Sequence, residues 1–292
     1  MNAWRLLNLP LNQAPLFNMA LDLALLQLHA AGASPPTLRF YQWDPPAVSL
    51  GRFQPVDTLD AAACQRLGLE VVRRPTGGQA VLHLRDLSYA VVAGPHDGLS
   101  ASPMTACRLL GGGLLRGLRR LGVEAEAGPR EAGHHLEGLC LLGAARGDLL
   151  YRGRKFAGSA QKILRRVSLL QHGSMALEPQ GELAAEMCNL PKTYREEMRA
   201  SLRARTTALS RILPHPVPGA DVAAALCRGL AEQLGVVLRP EGLTPHELAL
   251  TQEIMARTGV SRPLPASPAG PAAGKGAAAH CLGKGSGEQA GA

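Results

Sequence analysis

Aromatic residues make up only 3% of this 292-residue chain, and no block of five Lys or Arg occurs. Nucleic-acid sites stack bases on aromatic rings and track phosphates with basic runs, so both signatures of that role are poorly supported. No run of eighteen apolar residues is present to cross a membrane. Met1 to Pro10 holds no long apolar stretch leading to a small-residue cleavage site. The expectation is a soluble, cytoplasmic protein. Cys64, Cys107, Cys140, Cys188, Cys227 and Cys281 never form a C-x-x-C pair, which argues against a zinc ribbon or a dithiol redox motif. The pair His134 and His135 has no third ligand spaced to join it, so no metal is expected. The phosphate-cradling pattern G-x-x-x-x-G-K-[ST] is also missing.

What remains is a globular balance, 46% hydrophobic and 18% charged, in a chain long enough for a sizeable core. The net charge of +8 favours acidic partners, and an acidic protein explains it as well as a nucleic acid would. Leu21, Leu25 and Leu28 fall on one face of a helix read from Asn18, as N-cap, to Ala30. Strand-like runs follow at Thr37–Tyr41, Ala47–Leu50, Leu69–Arg73, Ala80–His83 and Leu87–Ala93, with helices over Asp57–Leu67 and Pro103–Leu121. Strands return at Asp148–Tyr151, Lys155–Gly158 and Val167–Gln171, and the turn Arg152, Gly153 separates the first two. The last third reads as helical, with Ala220–Leu234 and a capping box at Thr244 to Glu247. Pro263 to Ala292 is dominated by Ala, Gly and Pro and is expected to be a disordered tail. Strands and helices without regular alternation point to an α+β domain.

Several segments could carry chemistry. In Arg73-Arg74-Pro75-Thr76-Gly77-Gly78-Gln79-Ala80-Val81-Leu82-His83 the two glycines either let backbone approach a ligand or serve a hairpin that needs positive φ. Lys155 stands before the small-residue run Gly158, Ser159, Ala160, Gln161, as a charge partner for a thiolate, a base, or a solvated lysine. His172 ends an apolar run, as a ligand, a base or a structural histidine. Cys140 sits among leucines and reads equally as core. Arg165 and Arg166 form a short basic turn that could greet an acidic partner.

Taken in order, these segments resemble a known family. Arg73 to His83 is similar to the RR-x-TGG-x-AVLH signature of the biotin/lipoate protein ligase superfamily, and Lys155 to Gln161 with Leu170 to Ser174 resembles its K-x-AGSAQ and LQHGS segments. Asn18 to Asp22, Leu38 to Trp43, Ser49 to Gln54 and Leu243 to Pro245 also match in order. Within the superfamily the chain resembles octanoyltransferases, with Cys140 fifteen positions before Lys155 where that subgroup has its active cysteine. The residues after Cys140, Leu141 to Ala145, depart from the subgroup's pattern, as does Leu84 after His83; Asp86 is given no role.

The resemblance implies a mixed sheet flanked by helices and a ping-pong acyl transfer. Octanoyl-acyl carrier protein would load Cys140, and the lysine of the glycine-cleavage H protein or another lipoyl domain would accept the group, with no cofactor and no ATP. It implies Cys140 and Lys155 as catalytic residues. It places Arg73, Arg74, Gly77, Gly78, His83, Gly158, Ser159, Ala160, Gln161 and His172 against substrate. The alternatives are an ATP-dependent lipoate-protein ligase, an amidotransferase between lipoyl domains, and an inactive lipoyl-domain-binding homologue.

Overall fold

The computed structural model describes residues 2–128 and 147–258. Cys140, the paired His134 and His135, and the tail from 263 lie outside those residues. The first half runs β1 (Asn2–Leu7), β2 (Asn12–Gln13), α1 (Pro15–Ala30), β3 (Thr37–Trp43), β4 (Ala47–Leu50), α2 (Ala61–Arg66), β5 (Glu70–Arg73), β6 (Val81–His83), β7 (Asp86–Ala93) and α3 (Pro103–Arg119). The second runs β8 (Glu126–Ala127), β9 (Leu149–Tyr151), β10 (Arg154–Leu164), β11 (Ser168–Ala176), α4 (Gly181–Glu186), α5 (Lys192–Arg205), α6 (Gly219–Leu234), β12 (Val236–Glu241) and α7 (Pro245–Thr258).

The large sheet has the order β12-β1-β3-β7-β11-β10-β9-β8, with β2 beside β3. β1 is parallel to β12 and β3, while the neighbours from β3 to β8 are antiparallel, so the sheet is mixed as expected. β7 is buried along its whole length because alternate side chains serve opposite cores. Leu87, Tyr89, Val91 and Ala93 meet α3 and α6, and Ala90 and Val92 meet α1. A smaller sheet, β5-β4-β6, packs through Val48, Leu50 and Leu82 against α2, α4 and α5. α1 contributes to a core that joins residues of both sheets.

Several boundaries differ from the sequence reading. α1 begins at Pro15, whose missing N–H suits a first turn. Asn18 therefore does not cap it but lies buried inside, donating from Nδ2 to the Gln42 carbonyl at 3.1 Å. The helix expected over Asp57–Leu67 breaks at Asp60, whose side chain accepts from Ala63 N at 2.9 Å and starts α2 afresh. β10 continues to Leu164, well past Gly158. The last third is not purely helical: β12 lies on the sheet edge, where Pro240 costs no central hydrogen bond. The capping box forms, with Glu247 N donating to Thr244 Oγ1 at 3.2 Å and Thr244 N to Glu247 Oε2 at 2.8 Å. Glu247 also receives Arg5 of β1 at 2.5 Å, so this cap pins α7 to the first strand.

Candidate active site

A cavity of about 420 Å³ opens between the two sheets. Met19, Tyr41, Trp43, Val81, Leu82, Phe156 and Ala176 give it a largely apolar wall. Into it β10 brings Lys155, 3% exposed, with Nζ 2.8 Å from Asp148 Oδ2. The strand is bulged between Lys155 and Ala157 against β9, a local irregularity that re-aims side chains. Lys155 is held from behind as well, since its carbonyl accepts from Thr207 N at 2.9 Å. A methyl group on Gly158 would lie 3.1 Å from Asp148 Oδ1 and 3.4 Å from Lys155 Nζ, so glycine leaves room for the ion pair.

The opposite wall is the segment between β5 and β6. These strands do not pair with each other, because β4 lies between them, so the hairpin reading of Gly77 and Gly78 fails. Arg74, 6% exposed, sits inside the turn and donates to the carbonyls of Ser49 at 2.8 Å, Gly77 at 2.9 Å and Gln79 at 2.7 Å. Gly78 has φ +94, and a methyl there would also strike the Arg74 guanidinium at 2.8 Å. Gly51 backs the turn so closely that a β-carbon would stand 1.8 Å from the Gly78 oxygen.

Two histidine clamps fix this wall. His172 Nδ1 lies 2.8 Å from Asp22 Oδ2 and its Nε2 lies 2.6 Å from Thr76 Oγ1. Burial outweighs the Asp22 hydrogen bond and holds the imidazole below the usual histidine range. A neutral ring then donates from Nδ1 to Asp22 and accepts the Thr76 hydroxyl at Nε2. Burial works against ionisation of Asp22, but the Arg39 guanidinium, 2.8 Å away, and His172 hold its carboxyl below the usual range. The second clamp runs from Ser49 Oγ to His83 Nε2 at 2.8 Å and from His83 Nδ1 to Asp86 at 2.7 Å. Trp43 stacks on His83 at 3.9 Å, and Asp86 also accepts from Ser88 and Ser174.

Ten residues expected at the site line the cavity: Arg74, Gly77, Gly78, His83, Lys155, Gly158, Ser159, Ala160, Gln161 and His172. Arg73 does not. Its guanidinium is spent on the carbonyls of Gly51 and Gln54, both at 2.7 Å, and braces the loop behind the wall. Ser159 and Gln161 also hold the frame, Ser159 Oγ lying 2.8 Å from Tyr89 OH and Gln161 donating to Gln171 at 2.6 Å. Sequence reasoning missed Asp148, Asp22, Thr76 and Asp86. The signal was a lone carboxylate inside an apolar pattern: Asp22 among the leucines of α1, and Asp148 directly before Leu149 and Leu150. Asp86, given no role from sequence, is the buried partner of His83.

Among the described cysteines, burial pushes the thiols of Cys64 and Cys227 up to about 11 and that of Cys188 to about 12, so these three are not thiolates at neutral pH. No group of three His, Cys, Asp or Glu among the described residues could hold a metal ion. No described helix is long and apolar enough to cross a membrane.

This arrangement has known relatives. The family described as the lipoyl protein ligase A/B catalytic domain matches residues 14–231. An octanoyltransferase LipM of Kyrpidia tusciae is 37% identical, over 88% of this chain and 96% of its own length. The octanoyltransferase LipM of Symbiobacterium thermophilum is 39% identical, over 84% and 91%. In fold, the chain is similar to a bi-partite lipoate protein ligase of Thermoplasma acidophilum, with a TM-score of 0.72 at 24% identity, covering 88% of this chain and 93% of that one. The chain therefore belongs to the lipoyl protein ligase A/B catalytic-domain family and, within it, to the octanoyltransferases.

Proposed function

We propose that the protein moves an octanoyl group from octanoyl-acyl carrier protein to a lysine of a lipoyl domain, that of the glycine-cleavage H protein, through a thioester on Cys140. The observation that carries this reading is the Lys155–Asp148 pair buried in the wall of an apolar cavity. Burying a methylene is worth about 0.8 kcal/mol, so the six of an octanoyl chain would contribute about 5 kcal/mol of binding. In sequence Cys140 lies eight residues before Asp148.

In the first half-reaction the Cys140 thiolate attacks the thioester carbonyl. The new C–S bond forms, the bond to the carrier's sulfur breaks, and that sulfur leaves as a thiolate and takes a proton. The ammonium of Lys155 hydrogen-bonds the carbonyl oxygen as it gains charge, and Asp148 holds the ammonium in place. In the second half-reaction the neutral amine of the acceptor lysine forms the C–N bond, releases the Cys140 thiolate and gives its proton to solvent. Arg74, His172 and His83 position the turn that closes the opposite side of the chain. Both steps exchange one acyl derivative for another and need no ATP. We further propose that residues 1–258 form the catalytic domain, so deletion of 263–292 leaves the rate unchanged.

The test is transfer to a purified lipoyl domain. The proposal expects octanoylation without ATP and its loss in Cys140→Ala. Modification that requires ATP and a free acid, and persists in Cys140→Ala, would replace the transferase with a ligase.

A further inference from the structure

Two segments that continue from the cavity wall carry four cations, Arg52, Lys162, Arg165 and Arg166. The turn carrying Thr76 is tied to the neighbouring loop by Arg52 N, which donates to Thr76 O at 2.8 Å. The Arg52 guanidinium lies 5.2 Å from the centre of the Phe53 ring, and Phe53 is 82% exposed. Lys162 follows Gln161 of the cavity wall on β10. Partial burial and the Arg52 charge hold its ammonium below the usual lysine range. The strand then ends in the exposed turn residues Arg165 and Arg166, with φ 51° and 61°.

Positive φ at both central positions of a hairpin turn normally selects Asn, Asp or Gly. Two arginines there are unexpected on structural grounds. Three residues along a strand span about 10 Å, the Debye length at about 0.1 M salt, so Lys162 and the turn reinforce one another at that ionic strength and below. Among the described residues none of these four cations has an ion-pair partner. Elsewhere on the surface pairing is common: Arg116 and Arg120 share Glu232, Arg195 and Arg199 share Glu186, and Arg257 meets Glu253.

We propose that Arg52, Phe53, Lys162, Arg165 and Arg166 form the docking face for the donor, an acidic carrier protein whose acyl chain enters the cavity past Gly77. This rests on the octanoyltransferase reading above. A field of one sign steers a partner of the other sign, and a carrier's arm adds an anionic phosphodiester. The acceptor lysine is itself a cation in solution, and this rim repels it. The donor, not the acceptor, is the occupant.

The experiment compares acylation of Cys140 from octanoyl-acyl carrier protein with acylation from octanoyl-pantetheine, which has the thioester but no protein. Wild-type loading from octanoyl-pantetheine establishes the transferase reading first; failure to load from either donor removes that reading and this proposal with it. In Arg52→Glu/Lys162→Glu and in Arg165→Glu/Arg166→Glu the proposal expects at least a tenfold fall in the second-order rate from the carrier protein and a flatter salt dependence. It expects the rate from octanoyl-pantetheine to be unchanged, which also shows that the variants are folded. Phe53→Ser lowers only the carrier-dependent rate. Undiminished loading from the carrier, an equal loss with both donors, or a defect confined to transfer onto the lipoyl domain would overturn the assignment.

Discussion

Lys155 Nζ lies 2.8 Å from Asp148 Oδ2, with the two side chains 4% and 3% exposed. Each charge depends on the other, because removing one partner of a buried pair costs about 3 to 5 kcal/mol and removing both costs less. Asp148→Asn and Lys155→Met are each expected to lower stability by that order, and the double variant by less than their sum. Loading of Cys140 should fall by about a hundredfold or more in all three, the scale of losing an oxyanion donor. A double-mutant cycle by chemical denaturation, run beside the loading assay, checks this; additive stability losses would separate the two residues.

The neutral state of His172 makes an acid-side prediction. Its unfolded value is 6.5, and burial holds the folded value lower. Above 6.5 neither state is protonated and the clamp contributes fully. As pH falls below 6.5 the unfolded chain binds a proton that the folded chain resists, so stability falls until the folded group titrates. Denaturation midpoints measured from pH 7.5 down to 5 should decline, and the decline should be shallower in His172→Gln. An identical slope in the variant would assign the titration elsewhere.

The glycine wall separates a ligand surface from a folding device. Nothing lies within 4 Å of a β-carbon built on Gly77, whereas on Gly51 it would stand 1.8 Å from the Gly78 oxygen. Gly51→Ala is expected to displace the turn and lower both stability and kcat. Gly77→Ala should keep the wild-type Tm while raising KM for the acyl donor, since its methyl group enters the cavity. Unchanged kinetics in Gly77→Ala would leave that side of the cavity without substrate.

The Arg5–Glu247 pair makes a prediction far from the site. Arg5, Ser34 and Thr244 hydrogen-bond Glu247 and, against burial, hold its carboxyl down at about 2. Its stabilisation is complete above the unfolded value of 4.5 and is lost as pH falls from there toward 2. Glu247→Gln should cost on the order of 3 kcal/mol at pH 7 and flatten the acid limb of the stability curve. Thermal unfolding from pH 7 to 3 reads both.

Much of this frame was legible in sequence because local rules and tertiary packing agree. Ala47–Leu50 is a strand with the boundaries that its β-branched and apolar residues suggest. Glycine and arginine in the 73–83 segment marked the cavity wall. What sequence could not supply was pairing at a distance. Asp148 and Lys155 meet only because β9 folds back on β10. Asp22 and His172 are 150 residues apart and meet only when α1 covers the sheet. Arg73 was misplaced for a similar reason: it ends β5 and Arg74 follows it into the turn, so Arg74 points into that turn while Arg73 braces the loop behind it. β12 was overlooked because Arg239 and Pro240 weaken its local pattern, and only the parallel partner β1 makes it a strand.

The proposed transfer passes through one covalent intermediate. Purified protein should be mixed with octanoyl-acyl carrier protein in the absence of ATP, its intact mass taken, and any adduct mapped to a peptide. One octanoyl group, labile to hydroxylamine, is expected on Cys140. An unmodified chain in the presence of active carrier, or a stable adduct on another residue, would contradict it.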